Sequence, residues 1–324
     1  MRQPALELFR SASRASAGSL IVKLTMRIRI SLPQQALELH DERGALLRRY
    51  TVSTAKNGAG EQNGSFCTPR GRHIVRAKVG AGQAANTVFV RRRPTREVWT
   101  PQLAAQFPGR DWILTRILWL SGKEVGRNRL GEVDTMRRYI YLHGSPDTVP
   151  MGIPGSIGCV RMRNQDIIEL FDLVPARTPV EIVEFGVDSG SWRELAEPAR
   201  QVRDAVFVDE QKVPLDIEWD EHDALSRHVV AFDGDGCAIG TGRLLADAHI
   251  GRMAVLADWR GKGVGRALLE RLIEVARLQR HGHLALHAQT HACGFYRRFG
   301  FVEEGPEFME AGIPQRTMVR STGP

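Results

Sequence analysis

The chain has 324 residues, enough for two domains of ordinary size, and its 42% hydrophobic and 25% charged residues exclude a disordered or membrane-embedded composition. Its net charge of +8 is uneven: residues 1–188 hold 28 Lys and Arg against 17 Asp and Glu, and residues 189–324 hold 17 against 20. That step points to two units of different origin, and no run approaches the roughly 18 apolar residues of a membrane span.

The opening "MRQPALELFRSASRASAGSLIVKLTMRIRI" has arginines and serines, but its apolar segment "SLIV" ends at Lys23. A secretory leader needs roughly 7–15 apolar residues and a small-residue cleavage site. Residues 1–25 are therefore read as an N-terminal extension, with Met26 as an alternative start, and the expected location is cytoplasmic. A different gene start would conceal a leader and restore a periplasmic location. From Arg27 the alternation of "RIRIS" and "ALELH", with "DERG" before "ALLRRYTV", predicts β-hairpins. A Gly/Asn-rich loop follows to the strand "RGRHIV". "RRRPTREVWTPQLAAQFPGRD" reads as an inserted basic loop. "WILTRILWLSG" and "RRYIYLHG" read as strands, "NQDIIELFDLV" as an Asn-capped helix, and "PVEIVEFG" as a closing strand.

"VDSGSW" reads as a linker, so the expected units are residues 26–186 and 193–324, joined by 187–192. The second unit begins with a helix after Pro198 and a β-hairpin around "DGDG". The strand "IGRMAVL" then runs through "ADWRGKGVG" into the amphipathic helix "RALLERLIEVARLQR". "HLALHAQ" is a strand, "HACGFYRRFG" a helix with a glycine stop, and "RTMVR" a final strand. The fold class is thus two domains, a mostly-β one followed by an α+β one.

Cys67, Cys159, Cys237 and Cys293 are widely separated and form no C-x-x-C pair, which argues against a zinc site or a disulfide framework. Cys159 stands out in "HGSPDTVPMGIPGSIGCVRMRN". It follows a glycine and shortly precedes a helix, where backbone N–H groups can face a reacting carbonyl. His143 lies 16 residues upstream at a strand end, within reach as a base, and Arg161 adds a positive charge. A buried structural cysteine with an unrelated loop histidine fits the spacing as well.

"HG" followed by "SIGCVRM", with "VSTAKNG", "TPRGRHIV" and "GRNRLGEVDTMRRYIYLHG" upstream, resembles the L,D-transpeptidase catalytic (YkuD) family over roughly residues 27–185. The resemblance implies a cysteine that attacks the bond between the L-centre of a diamino acid and D-Ala in peptidoglycan stem peptides. It makes Cys159 the nucleophile and His143 its base, with the Gly144 carbonyl orienting the imidazole. The N–H groups of Gly158 and Cys159 become the oxyanion hole, and Arg161 steers a substrate carboxylate. Acylation by carbapenems belongs to the same family chemistry. Ile157 stands where many members have a histidine. Water would resolve the acyl-enzyme as an L,D-carboxypeptidase in recycling; a second stem peptide would give a cross-link.

"WRGKGVGRALLERL" follows a strand and opens a helix, where free N–H groups and the helix dipole suit phosphate; a plain tight turn is the alternative. Arg260-x-x-Gly263-x-Gly265 after "GRMAVL", with "LHAQTHACGFYRRFGF", resembles GNAT-family acetyltransferases over roughly residues 193–321. The resemblance implies acetyl-coenzyme A as cofactor, held by Met253, Val255, Arg260, Gly261, Lys262, Gly263, Val264, Gly265 and Arg266, and no metal. Tyr296 stands where the family's thiolate-protonating tyrosine lies, and Gln315 where one subgroup often has histidine. Glu218, Asp220, Glu221 and Asp223 form an acidic cluster that could hold an amine or be solvated. The expected partners are stem peptides or muropeptides and a small amine; the "RRRPTR" run alone does not indicate nucleic acid. A purely regulatory GNAT unit and a non-catalytic wall-binding protein are the rival readings.

Overall fold

The computed structural model describes residues 26–310 and 312–322, so the expected extension 1–25 lies outside the described residues. In the first unit the alternating runs form β1 (Arg27–Ser31), β2 (Ala36–His40) and β3 (Leu46–Thr51), paired antiparallel. They continue into β4 (Gly71–Val79), β5 (Thr87–Val90), β6 (Arg93–Val98), β7 (Ile113–Gly122) and β10 (Pro179–Val183), in the order β3-β2-β1-β10-β4-β7-β5-β6. Two short strands, β8 (Tyr141–Gly144) and β9 (Val160–Met162), hang from β7, with β9 parallel to β8.

The core of this unit is one face of the sheet, with Ile28, Ile30, Leu118, Leu120, Leu142, Val160 and Met162 buried against Ile167, Leu170 and Phe171 of α2 (Asn164–Leu173). The segment read as a basic loop is instead the second strand of a hairpin, β6, and a helix, α1 (Pro101–Gln106), capped by the Thr100 hydroxyl. Arg91 and Arg92 form the two-residue turn of that hairpin, at φ +47° and +66°. Such turns usually carry Asn-Gly, so an Arg-Arg turn carries no hairpin signal in the sequence.

The expected linker is also ordered structure. Residues 186–191 form β11 (Gly186–Ser191), the edge strand of the second sheet, and Trp192 begins α3 (Trp192–Arg203). Its Gly, Ser and Asp residues look like a linker because only one edge of β11 is paired, with β12 (Arg227–Phe232). The Glu194 carboxylate accepts from the Ser191 N–H at 2.7 Å, so the helix starts six residues before Pro198 and continues as a π-helical stretch to Glu210.

The second sheet continues with β13 (Ala238–Leu244), β14 (His249–Val255), β15 (His283–Gln289), β16 (Val302–Glu310) and β17 (Ile313–Ser321), in the order β11-β12-β13-β14-β15-β17-β16. Helix α5 (Val264–Leu278) packs Ala267, Leu268, Leu272, Ile273 and Ala276 on it. Two further helices, α4 (Leu215–Glu218) and α6 (Cys293–Arg297), complete the unit. Parallel pairing of β14 with β15 lasts only for His249–Ala285 and Ile250–Leu286, after which the strands diverge and open a cleft.

The units meet through buried charge. Glu270 of α5 pairs with Arg27 and Arg29 of β1, and Arg271 pairs with Glu38 of β2 at 3.2 Å. The Ser31 hydroxyl donates to the Phe185 carbonyl at 2.6 Å, and Phe185 packs edge-on against Trp259. No helix among the described residues is long and apolar enough to cross a membrane.

Candidate functional sites

The β8–β9 register sets His143 beside Arg161. Side chains alternate along a strand, so Tyr141, His143 and Arg161 share one face with Cys159, the residue just before β9. Leu142, Val160 and Met162 take the opposite face and anchor it in the core. The Cys159 thiol points at the Tyr139 carbonyl (3.4 Å) and receives the Tyr141 N–H (3.4 Å). Burial pushes the thiol up to about 12, so it rests protonated. His143 is fully buried; Nδ1 lies 2.8 Å from the Gly144 carbonyl, and Nε2 has no partner. Burial also holds its pKa below the ordinary histidine value, so the ring is a neutral proton acceptor at pH 7.

Gly144 admits no side chain: a Cβ there would sit 2.6 Å from Asn164 Oδ1 and 2.8 Å from the Leu114 carbonyl. Asn164 is not the helix cap the sequence suggested. It is the first residue of α2, and its buried amide donates to the Ser145 carbonyl (3.0 Å) and Asn86 Oδ1 (2.8 Å), bracing the chain after His143. Gly158 has φ +130°, a conformation open to glycine, and its N–H donates to the Ser156 hydroxyl at 3.2 Å. Ile157 lies exposed on the rim.

Three guanidinium groups surround this site, two of which the sequence did not point to. Arg161 donates to Asp111 (2.5 Å) and the Gly155 carbonyl (2.9 Å), so its charge is already paired. Arg138 clamps the 60–67 loop through the carbonyls of Gly60, Glu61 and Cys67. Arg92 lies over the rings of Trp119 (4.5 Å) and Tyr139 (4.9 Å) and donates to the Tyr141 hydroxyl at 3.1 Å.

In the second unit, a cleft of about 960 Å³ opens where β14 and β15 diverge, lined by Met253, Val255, Arg260 and Tyr296 among others. The loop beyond β14 turns through Gly261 (φ +73°) and Gly263 (φ +91°) into α5, whose first turn holds Val264, Gly265 and Arg266. A Cβ at Gly261 would meet nothing within 4 Å, and Lys262 rests over Trp259. A Cβ at Gly263 would lie 3.2 Å from Glu181 Oε1, so the turn is open at Gly261 alone; with the helix N-terminus and a cleft that Arg260 also lines, it suits a pyrophosphate-bearing ligand such as acetyl-coenzyme A. Arg260 is paired with Glu210 at 2.6 Å and must exchange that partner to meet a phosphate. The Tyr296 hydroxyl faces Met253 Sδ (3.9 Å), and burial raises it to about 12, so it holds its proton at pH 7.

Of the acidic cluster only Glu221 is exposed to solvent, and the other three carboxylates are taken up in ion pairs. Glu218 and Asp223 are buried and paired with Arg203, Asp220 and Asp223 are paired with Arg243, and Arg252 reaches Glu218 and Asp220. The far end of the cleft holds groups that the sequence did not single out. The His249 and His287 rings meet edge to face at 4.6 Å, and His287 Nδ1 lies 3.5 Å from Glu310. Burial, then the neighbouring His287, lowers the His249 pKa.

Comparison with known families matches each unit to a domain family. Residues 25–182 match the L,D-transpeptidase catalytic domain family, and residues 199–322 the acetyltransferase (GNAT) domain family. The chain belongs to the GNAT family, and its first unit matches the L,D-transpeptidase catalytic domain.

The GNAT unit is 37% identical over 131 residues to the uncharacterized N-acetyltransferase YjcF of Bacillus subtilis, covering 39% of this chain and 93% of that protein. A solved acyl-CoA N-acyltransferase from Pseudomonas aeruginosa matches at 31% identity, with a TM-score of 0.39, 42% of this chain and 99% of that one. The L,D-transpeptidase unit is 40% identical over 86 residues to the probable L,D-transpeptidase ErfK/SrfK of Salmonella typhimurium. That match covers 25% of this chain and 28% of the relative.

In the L,D-transpeptidase unit Cys159, His143, Gly144, Gly158 and Arg161 come from one motif on adjacent strands, and the Cys159 thiol bonds to Tyr139 and Tyr141 rather than to His143. Asn164 closes the same motif and Arg138 lies just before β8, whereas Arg92 and Asp111 join from segments that no local spacing marks. In the GNAT unit, Met253, Val255, Arg260 and Tyr296 meet at the cleft, whereas His249, His287 and Glu310 converge from three strands.

Proposed function

We propose that this is a bifunctional cell-wall enzyme. In this reading the first unit uses Cys159 for acyl transfer on peptidoglycan stem tetrapeptides and resolves the acyl-enzyme with water, as an L,D-carboxypeptidase. The second unit acetylates a small amine with acetyl-coenzyme A. The observation that carries the first half is a shared strand face holding Cys159 and His143, with Nδ1 engaged by Gly144 and Nε2 buried and bare.

The thiol gives its proton to His143 Nε2 as Sγ attacks the scissile carbonyl carbon. The N–H groups of Cys159 and Gly158 hold the resulting oxyanion, the latter after leaving Ser156. The C–N bond breaks, His143 returns the proton to the departing D-Ala amine, and a water deprotonated by the same nitrogen cleaves the thioester. The covalent tie to a coenzyme A-dependent unit supports a cytoplasmic setting, where stem peptides are soluble fragments and water is the abundant acceptor.

In the second unit, the turn from Arg260 to Gly265 and Arg266 hold the cofactor's phosphates, and Met253 and Val255 line its path. Acetyl-coenzyme A, when bound, supplies an activated acetyl thioester. His249, kept neutral, accepts a proton from the acceptor ammonium, and Tyr296 Oη holds the proton needed by a departing thiolate. Mass spectrometry of a tetrapeptide muropeptide incubated with wild type and Cys159→Ala tests the first half. Loss of one D-Ala with wild type alone is expected; an intact substrate, or a dimer on adding a second stem peptide, contradicts the hydrolytic reading.

A further inference from the structure

We infer that Arg92, at the tip of the β5–β6 hairpin, binds the terminal carboxylate of the leaving D-Ala and so makes the Cys159 site an exopeptidase site. The inference rests on the proposed stem-peptide reading of the first unit. A peptidase that removes one terminal residue has a free carboxylate close to the scissile bond, and that charge needs a cation near the nucleophile. The motif supplies Arg161, but its guanidinium is spent on Asp111 at 2.5 Å and the Gly155 carbonyl at 2.9 Å. Arg138 is spent on three loop carbonyls and the Ser65 hydroxyl.

Arg92 differs from both. Among the described residues no carboxylate pairs with it, and one donor meets the Tyr141 hydroxyl at 3.1 Å, leaving most of the fork open. Its guanidinium carbon lies over the Trp119 and Tyr139 rings at 4.5 and 4.9 Å. Stacking fixes a guanidinium without neutralising it, which leaves a planar fork matched to a carboxylate. The residues that hold Arg92 also touch the nucleophile, since the Tyr139 carbonyl accepts from Cys159 and the Tyr141 N–H reaches Sγ, each at 3.4 Å. The side chain is partly exposed, so a ligand can reach it. The left-handed turn at Arg91 and Arg92 is one that Asn-Gly would fill more easily, and it is filled here by arginine.

The test is binding of the tetrapeptide L-Ala-γ-D-Glu-diaminopimelate-D-Ala to the full chain carrying Cys159→Ala, by calorimetry, with and without Arg92→Gln. Loss of a charge-assisted contact predicts binding about 10- to 100-fold weaker. The same peptide ending in D-alaninamide loses the Arg92 dependence, and Arg92→Lys restores part of the affinity. Arg93→Ala, on the same hairpin but exposed, binds like the parent and controls for damage to the turn. Equal or tighter binding by Arg92→Gln overturns the inference and leaves the proposed hydrolysis standing. Arg92-dependent binding without turnover by the unmutated chain overturns the hydrolysis and the exopeptidase role, and leaves only the Arg92–carboxylate contact standing. Absence of binding overturns both.

Discussion

The cysteine site and the acetyl-transfer cleft place their reactive groups in opposite electrostatic settings. Around Cys159 stand three guanidinium groups, from Arg92, Arg138 and Arg161, with Asp111 pairing one of them. At the far end of the cleft, Asp247 and Glu310 stand beside two histidines, and the arginines nearby are tied into buried pairs with Glu218, Asp220 and Asp223. Under the proposed function the first setting suits an anionic peptide end and the second an ammonium, so the two sites would not compete for substrate.

The comparison breaks most visibly at the proposed nucleophile. Cys159→Ala is expected to abolish D-Ala release while acetyl transfer is unchanged; parallel loss of both activities would mean that the sites are not independent. A smaller but still large effect is expected at His249, with putrescine as the acceptor probe. His249→Gln should lower kcat/KM about 100-fold, the usual scale of a general base. Burial, His287 and Arg243 hold the His249 pKa down, against Asp247 and Glu310, so wild-type activity rises with pH below the ordinary histidine range. The variant loses that limb, and a retained limb would assign the base elsewhere.

Stability predictions sharpen the contrast at the joint between the units. Glu270→Gln leaves Arg27, and in part Arg29, without a buried counter-charge and should cost about 3 kcal/mol in denaturant unfolding. A change below about 0.5 kcal/mol would show that the joint carries little. Burial lowers His40 and His73 to about 4, so the folded chain binds fewer protons than the unfolded one between pH 6.5 and 4. Their contribution is full above pH 6.5 and falls as pH drops through that window, by about 3 kcal/mol for each group. His73→Gln should flatten the decline in melting temperature from pH 7 to 4.5.

What was legible in the sequence follows from how each site is assembled. His143, Gly144, Gly158, Cys159 and Arg161 lie on two short parallel strands joined by one loop, so a contiguous motif contains them. The turn from Arg260 to Gly265 is equally local. Arg92 and Asp111 reach the thiol site only through the sheet order, Arg138 and Asn164 lie beside the motif but carry no signal of their contacts, and His249, His287 and Glu310 meet across three strands. The same holds for the fold. Strand β16 lacks apolar alternation because it is an edge strand carrying Glu303, Glu304, Glu307 and Glu310, and β11 resembles a linker for a related reason.

Intact-mass measurement of the protein with a carbapenem, at pH 7, tests the central claim most directly: Cys159 is a nucleophile served by His143. One adduct on Cys159 is expected with the unmutated chain, none with Cys159→Ala, and acylation slowed at least about 100-fold with His143→Gln. An unreactive wild-type thiol, or an acylation rate indifferent to His143, would contradict it.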